Sequence, residues 1–136
     1  MSSIVPKHIL HVDLTRAVCR QELLPSELLE SRLGGRGLAT SLISDYAGVD
    51  PLAADMSLIF SIGPLCGSGV PMSSRTVLTS CSPQTGTIFS SSSGGPFGLY
   101  LVAAGLVAIS ISGKSDRPLL LEIDQQGARL LPADKM

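Results

Sequence analysis

Arg75 opens the stretch RTVLTSCS directly after PMSS, and the nearby run FSSSSGGPFG, Phe89 to Gly98, carries four consecutive serines and a pair of glycines. A guanidinium is a rigid fork of donors that matches two phosphate oxygens at once, which a lysine ammonium does not. Glycine lets the backbone approach a bulky anion because it has no Cβ and tolerates left-handed angles. By position alone two roles stay open for Arg75: a phosphate ligand, or a solvated or ion-paired strand end. The backbone from Ser92 to Gly95 can add N–H donors or a carbonyl ligand, and a helix start after it would favour anionic oxygens.

Other reactive residues form no constellation. Ser73 and Ser74 lie in PMSSR without a GxSxG elbow, and both histidines, His8 and His11, fall on one strand-like segment. Asp45, Asp50 and Asp55 recur at a spacing that matches neither a helical face nor a calcium loop, so turn formation and solvation account for them. GGRG at Gly34 to Gly37 is not GxGxxG, and GPLCGSG at Gly63 to Gly69 lacks the Lys-Ser/Thr ending of a nucleotide P-loop. Turns, caps and close backbone approach explain these glycines equally well. Three cysteines, Cys19, Cys66 and Cys81, without CxxC spacing provide no disulfide framework, zinc site or iron–sulfur site, and point to a reduced, cytoplasmic chain.

The elements that must hold Arg75 and the serine–glycine run follow from periodicity. ILHVDL and AVCRQEL read as a hairpin lacking a turn glycine, PSELLESRL as a helix ending at Gly34-Gly35, and Gly37 to Tyr46 as a second helix. SLIFSIG and RTVLTSCS read as strands. Ser90 to Ser93 are expected to be an ordered approach to a helix that begins the apolar run FGLYLVAAGLVAI, itself a buried helix followed by a buried strand. PLLLEID and ARLL around Gln125-Gln126-Gly127 predict a terminal hairpin. The reading is α+β with more sheet than helix.

Composition restricts the partners. With 136 residues, a single domain with its own core is expected, covering residues 1–136. Ten Lys and Arg against eleven Asp and Glu give a formal charge of −1, and five Phe and Tyr are too few for base stacking, so nucleic-acid binding is not expected. The longest apolar run is shorter than the roughly 20 residues of a membrane-spanning helix, and the amino terminus MSSIVPKHILHVDL has no continuous signal-peptide core. A mean hydropathy of +0.37 with 15% charged residues points to a surface covered by a partner domain.

Taken in order, ILHVDLT, LGGRGLAT, VDPL, LIFSIGPLCGSGVP, SSRTVLTSCSPQTG, SGGPFG, AAGLVAISISGKSDRP and LLLEID resemble the amino-terminal domain of the tungsten- or molybdenum-pterin aldehyde ferredoxin oxidoreductases. The likeness runs over nearly the whole chain. It implies a sheet-rich, two-halved domain that holds a bis-pterin cofactor against domains further along a longer chain. It also implies that Arg75 contacts a pterin phosphate, that Gly94 contacts the cofactor, and that the Ser92 backbone carbonyl helps hold magnesium between two phosphates. Ser92 stands where the family has asparagine; a main-chain carbonyl survives that exchange.

The chain departs from the pattern at MSSIVPKH, at Ala17 in place of a hairpin glycine, and at Leu99-Tyr100-Leu101-Val102 in place of a more polar segment. The family's iron–sulfur cysteines and substrate pocket belong to later domains, and this sequence ends at Met136. The resemblance therefore implies a component of an oxidoreductase acting on aldehydes or related small carbonyl compounds, with the remaining domains or a larger subunit as partner and a ferredoxin reached through it. No iron–sulfur cluster is expected in this chain, and aldehyde oxidation by it alone is not. The other reading is a non-catalytic scaffold or interaction domain derived from that enzyme base.

Overall fold

The computed structural model describes residues 6–124 and 126–133. Of MSSIVPKH, only positions 6–8 fall among them. The elements, in order, are β1 (His8–Asp13), β2 (Val18–Leu23), α1 (Ser26–Arg32), α2 (Gly35–Ile43), a 3-10 turn (Ser44–Tyr46), β3 (Leu58–Ile62), β4 (Arg75–Cys81), β5 (Ile88–Gly94), α3 (Phe97–Ala103), β6 (Leu106–Ser112), β7 (Leu119–Asp124) and β8 (Gly127–Pro132). The domain is mixed α+β and strand-rich, as its sequence periodicity indicates.

Six strands form one sheet in the order β2-β1-β6-β3-β4-β5, and β7 and β8 form a separate hairpin. Only the β1–β6 pair in the large sheet is parallel; the other neighbours run antiparallel. Leu106 to Ser110 of β6 are all buried, the pattern of a strand with neighbours on both sides and cover on both faces. Ala39 and Ile43 of α2 pack with Met56 and Ile59 on one face. Phe60, one residue on and so on the opposite face, meets Phe97 of α3 edge-on with ring centroids 6.0 Å apart. The β7–β8 hairpin adds Leu121, Ile123, Ala128 and Leu130 to the cluster around Leu10, Val12 and Ile109.

Hydroxyls inside the sheet are paired. Ser57 Oγ and Ser110 Oγ are 2.6 Å apart, Thr79 Oγ1 and Ser90 Oγ 2.9 Å, and Ser61 Oγ donates to the Gly35 carbonyl at 2.8 Å. Among the described residues, no buried side-chain polar atom lacks a partner. That satisfaction is what permits polar residues on strands this deep.

Two expectations need correction. Ser90 to Ser93 lie inside β5, an edge strand paired with β4, rather than in an approach to a helix. A run of small hydroxyl residues carries little strand propensity of its own; pairing with the β-branched Thr76, Val77 and Thr79 decides it. The helix of the long apolar run is also half exposed: Gly98 and Leu101 are buried, while Phe97, Leu99 and Tyr100 lie open. At seven residues α3 covers too little of the sheet to bury more than one of its sides.

The remaining boundaries move by small amounts. α1 ends on Leu33 in the left-handed region at φ 60, one residue before the glycines that mark its end in sequence, and α2 begins at Gly35 rather than Gly37. Ala17 stands at φ 54 in the β1–β2 turn, a conformation that glycine adopts without strain. Among the described residues, no helix is long and apolar enough to cross a membrane.

Candidate cofactor-phosphate cradle

β4 begins at Arg75 because Val70-Pro71-Met72-Ser73 is a tight turn: Ser73 N–H donates to the Val70 carbonyl at 3.3 Å, and Ser73 Oγ donates to it at 2.8 Å. Proline suits the second position of a type II turn, whose third position needs positive φ. Met72 holds that position at φ 61 with 90% exposure, a strained place for a non-glycine residue. The turn delivers Arg75 to the strand end, where its Cα pairs with Gly94 of β5.

An open cleft of about 700 Å³ lies at this end of the sheet. One wall is Met72 to Arg75, the other Gly94, Gly95 and Pro96, with Gly67 and Gly69 of the GPLCGSG loop and Leu99 of α3 completing the lining. Arg75 is exposed and makes no ion pair or side-chain hydrogen bond among the described residues. A Cβ placed on Gly94 or Gly95 would meet nothing within 4 Å, so both open onto free space. An unpaired fork of donors opposite bare backbone is a fit for an anionic, phosphate-bearing group. Among the described residues, no three His, Cys, Asp or Glu side chains converge as metal ligands, so a cation here would draw on carbonyl and phosphate oxygens.

The structure thus joins Arg75 and Gly94 in one cleft. Ser92 lies two residues further along β5, opposite Val77, exposed and outside the cleft lining. Strand alternation puts its side chain on the same face as those of Arg75 and Val77. The short α3, capped by Pro96 without a side-chain hydrogen bond, adds little to an anion site.

GGRG serves packing. Gly34, at φ 92, lies so near the end of β3 that a Cβ would fall 2.6 Å from the Ile62 carbonyl oxygen, and one on Gly37 would fall 2.6 Å from that of Arg32. The histidines are also away from the cleft. His11 is half-buried in β1 with Nε2 3.7 Å from Glu22, and burial chiefly pulls its pKa below the ordinary value, opposed by Glu22 and aided by Arg20. Asp50 accepts from Leu52 N–H at 3.0 Å, the turn role expected of it. Cys19, Cys66 and Cys81 are free thiols.

Sequence reasoning passed over Ser74 and Gly95 as partners. Ser74 Oγ donates to the Gly95 carbonyl at 2.7 Å across the cleft. The serine was visible only as a poor nucleophile candidate, because its partner depends on the β4–β5 register.

The family profile described as aldehyde ferredoxin oxidoreductase, N-terminal domain, matches residues 9–136. The tungsten-containing aldehyde ferredoxin oxidoreductase of Pyrococcus abyssi is 36% identical over 130 residues, which is 94% of this chain and 21% of that protein. An aliphatic sulfonate oxidoreductase, WOR-like subunit, of Pyrococcus furiosus is 34% identical over 132 residues, 93% of this chain and 21% of the other. Among solved structures, the active-site complex BamBC of benzoyl coenzyme A reductase with 1,5-dienoyl-CoA superposes with a TM-score of 0.92 at 30% identity, over 98% of this chain and 21% of that one. The chain spans about one fifth of the length of these relatives.

Proposed function

This chain belongs to the family of the aldehyde ferredoxin oxidoreductase N-terminal domain, and from that membership we propose that it forms one wall of a bis-pterin tungsten or molybdenum cofactor site. Arg75 would neutralise a pterin phosphate, the Gly94 backbone would lie against the cofactor, and the Ser92 carbonyl would be a ligand for the magnesium held with the phosphates. The observation that carries the reading is the placement of an unpaired Arg75 directly across from Gly94 at the mouth of a cleft. The cofactor, when bound, supplies the two-electron redox chemistry. This chain's part is to hold the phosphate end: the guanidinium gives charge and orientation, and the bare glycine gives close approach.

The complete activity requires more than this wall. Within the proposal, remaining oxidoreductase domains or a larger subunit provide the substrate pocket and the iron–sulfur carrier, ferredoxin docks on that partner, and the substrates are aldehydes or related small carbonyl compounds. A cytoplasmic setting accords with three free thiols. The test is Arg75→Ala in the chain co-purified with its partner, followed by metal and pterin analysis. Loss of one charge-assisted contact lowers pterin retention about tenfold or more with the fold intact by circular dichroism. Unchanged pterin occupancy, or a native complex holding neither tungsten nor molybdenum, overturns the reading.

Exposed Phe89, Phe97, Leu99 and Tyr100 support a second reading, a non-catalytic interaction domain on the same framework. A stable, cofactor-free homodimer, detected by solution mass measurement, would favour it over the cradle.

A further inference from the structure

We infer that Ser74 is the positioning residue of this cleft: its hydroxyl locks the Gly95 turn onto the start of β4 and so sets where Gly94 and Gly95 stand relative to Arg75. What this does for a ligand rests on the phosphate-binding reading above; the lock itself rests on hydrogen-bond geometry.

The β4–β5 ladder runs from Cys81 opposite Ile88 to Arg75 opposite Gly94. Arg75 and Gly94 close the ladder; Arg75 N–H donates to the Ser73 carbonyl at 2.9 Å, and the Gly94 carbonyl accepts from Ser93 Oγ at 3.2 Å. The next position along is Ser74 facing Gly95, where Ser74 Oγ donates to the Gly95 carbonyl at 2.7 Å. This tie joins the residue before Arg75 to the residue after Gly94, across the two walls of the cleft.

Ser74 is itself seated from behind. Cys66 Sγ approaches Ser74 Oγ at 3.9 Å, bringing in the GPLCGSG loop. The start of α3 closes on the same spot: a Cβ on Gly98 would lie 2.8 Å from Cys66 Sγ, 3.3 Å from Ser74 Oγ and 3.4 Å from Thr76 Oγ1. Three segments therefore converge on one hydroxyl.

The tie matters because of what it restrains. Gly95 stands at φ 107, a conformation open to glycine and few other residues. The tied carbonyl belongs to the Gly95–Pro96 peptide, so the bond fixes ψ of Gly95; without it the glycine backbone has more conformations to lose, and a wall that must be ordered at the moment of binding contributes less to affinity than one already in place. Ser74 thus prepares the glycine wall, while Arg75 supplies the charge.

The experiment uses the 136-residue chain labelled with ¹⁵N, in the wild type, Ser74→Ala, Ser74→Thr and Arg75→Ala forms. ¹⁵N relaxation order parameters at Gly94 and Gly95 are measured without ligand, and inorganic pyrophosphate with magnesium is then titrated while the Gly95 amide shift is followed. Ser74→Ala is expected to lower the Gly95 order parameter and weaken pyrophosphate binding about fivefold, the loss of one neutral hydrogen bond. Ser74→Thr, which keeps the hydroxyl, is expected to restore both.

A Gly95 order parameter that is unchanged in Ser74→Ala overturns the lock whether or not pyrophosphate binds. Failure of threonine to restore the order parameter overturns the role of the hydroxyl. Arg75→Ala binding pyrophosphate as tightly as the wild type would instead remove the phosphate reading, with the order-parameter comparison still deciding the lock.

Discussion

β6 and β5 are both seven-residue strands of one sheet, and they have opposite tasks. LVAISIS lies between β1 and β3, with its first five residues buried; IFSSSSG has a neighbour on one side and almost every residue exposed. The first contributes apolar burial to the core. The second contributes almost none, and its terminal Gly94 lines the cleft. Core burial and cleft lining are thus assigned to different strands, coupled through β3 and β4.

The largest test of this division is truncation on the buried strand. Ile109→Ala, at a position 2% exposed, is expected to destabilise the chain by about 3 kcal/mol in urea denaturation, the usual result of opening a cavity in a packed core. Ser91→Ala on β5 is expected to change stability by less than about 0.5 kcal/mol. Comparable losses at the two sites would break the distinction.

Glycines sharpen it further. Gly34→Ala combines a φ of 92 with a Cβ 2.6 Å from the Ile62 carbonyl oxygen, and is expected to cost about 2 kcal/mol in the same assay. Gly94→Ala meets nothing within 4 Å and is expected to leave the denaturation midpoint nearly unchanged while its methyl group, projecting into free space at the cleft, weakens pyrophosphate binding. A strongly destabilised Gly94→Ala would mean that this glycine serves the fold.

The smallest effect is electrostatic and lies on β1, one strand in from the other edge of the sheet. Burial holds the His11 pKa below its ordinary 6.5, so the unfolded chain takes up the proton more readily than the folded one. This contribution to stability is fully present above the ordinary value and is lost as pH falls through the lowered folded value. Glu22 and Arg20 of β2 are the charged groups that act on it, in opposite directions. His11→Asn should flatten the loss of stability between neutral and mildly acidic pH, while the cleft, remote from β1, binds pyrophosphate as before. An unchanged pH slope would remove His11 from the account.

Much of the fold could be read from local signals. Ile9, Val12, Ile59, Ile62 and Ile109 recur with strand-like burial, and Pro25-Ser26 marks the start of α1. The serine run misled because its side chains have no periodic hydrophobic signal; its strand character comes from Thr76, Val77 and Thr79 on the neighbouring strand. The apolar stretch around α3 misled in the other direction, because hydropathy reports what a side chain favours, and among the described residues Phe97, Leu99 and Tyr100 stay largely exposed.

For the site, residue chemistry was enough to select Arg75 and the serine–glycine run as candidates, since a guanidinium and a Cβ-free backbone carry their capabilities in any context. The order of motifs was enough to select the family. Their juxtaposition was another matter. That Arg75 faces Gly94, that Ser74 reaches Gly95 and that Ser92 falls outside the cleft all follow from the β4–β5 register. Register is a property of two paired strands, and a shift of one residue would turn every side chain to the other face. Only the folded sheet decides it.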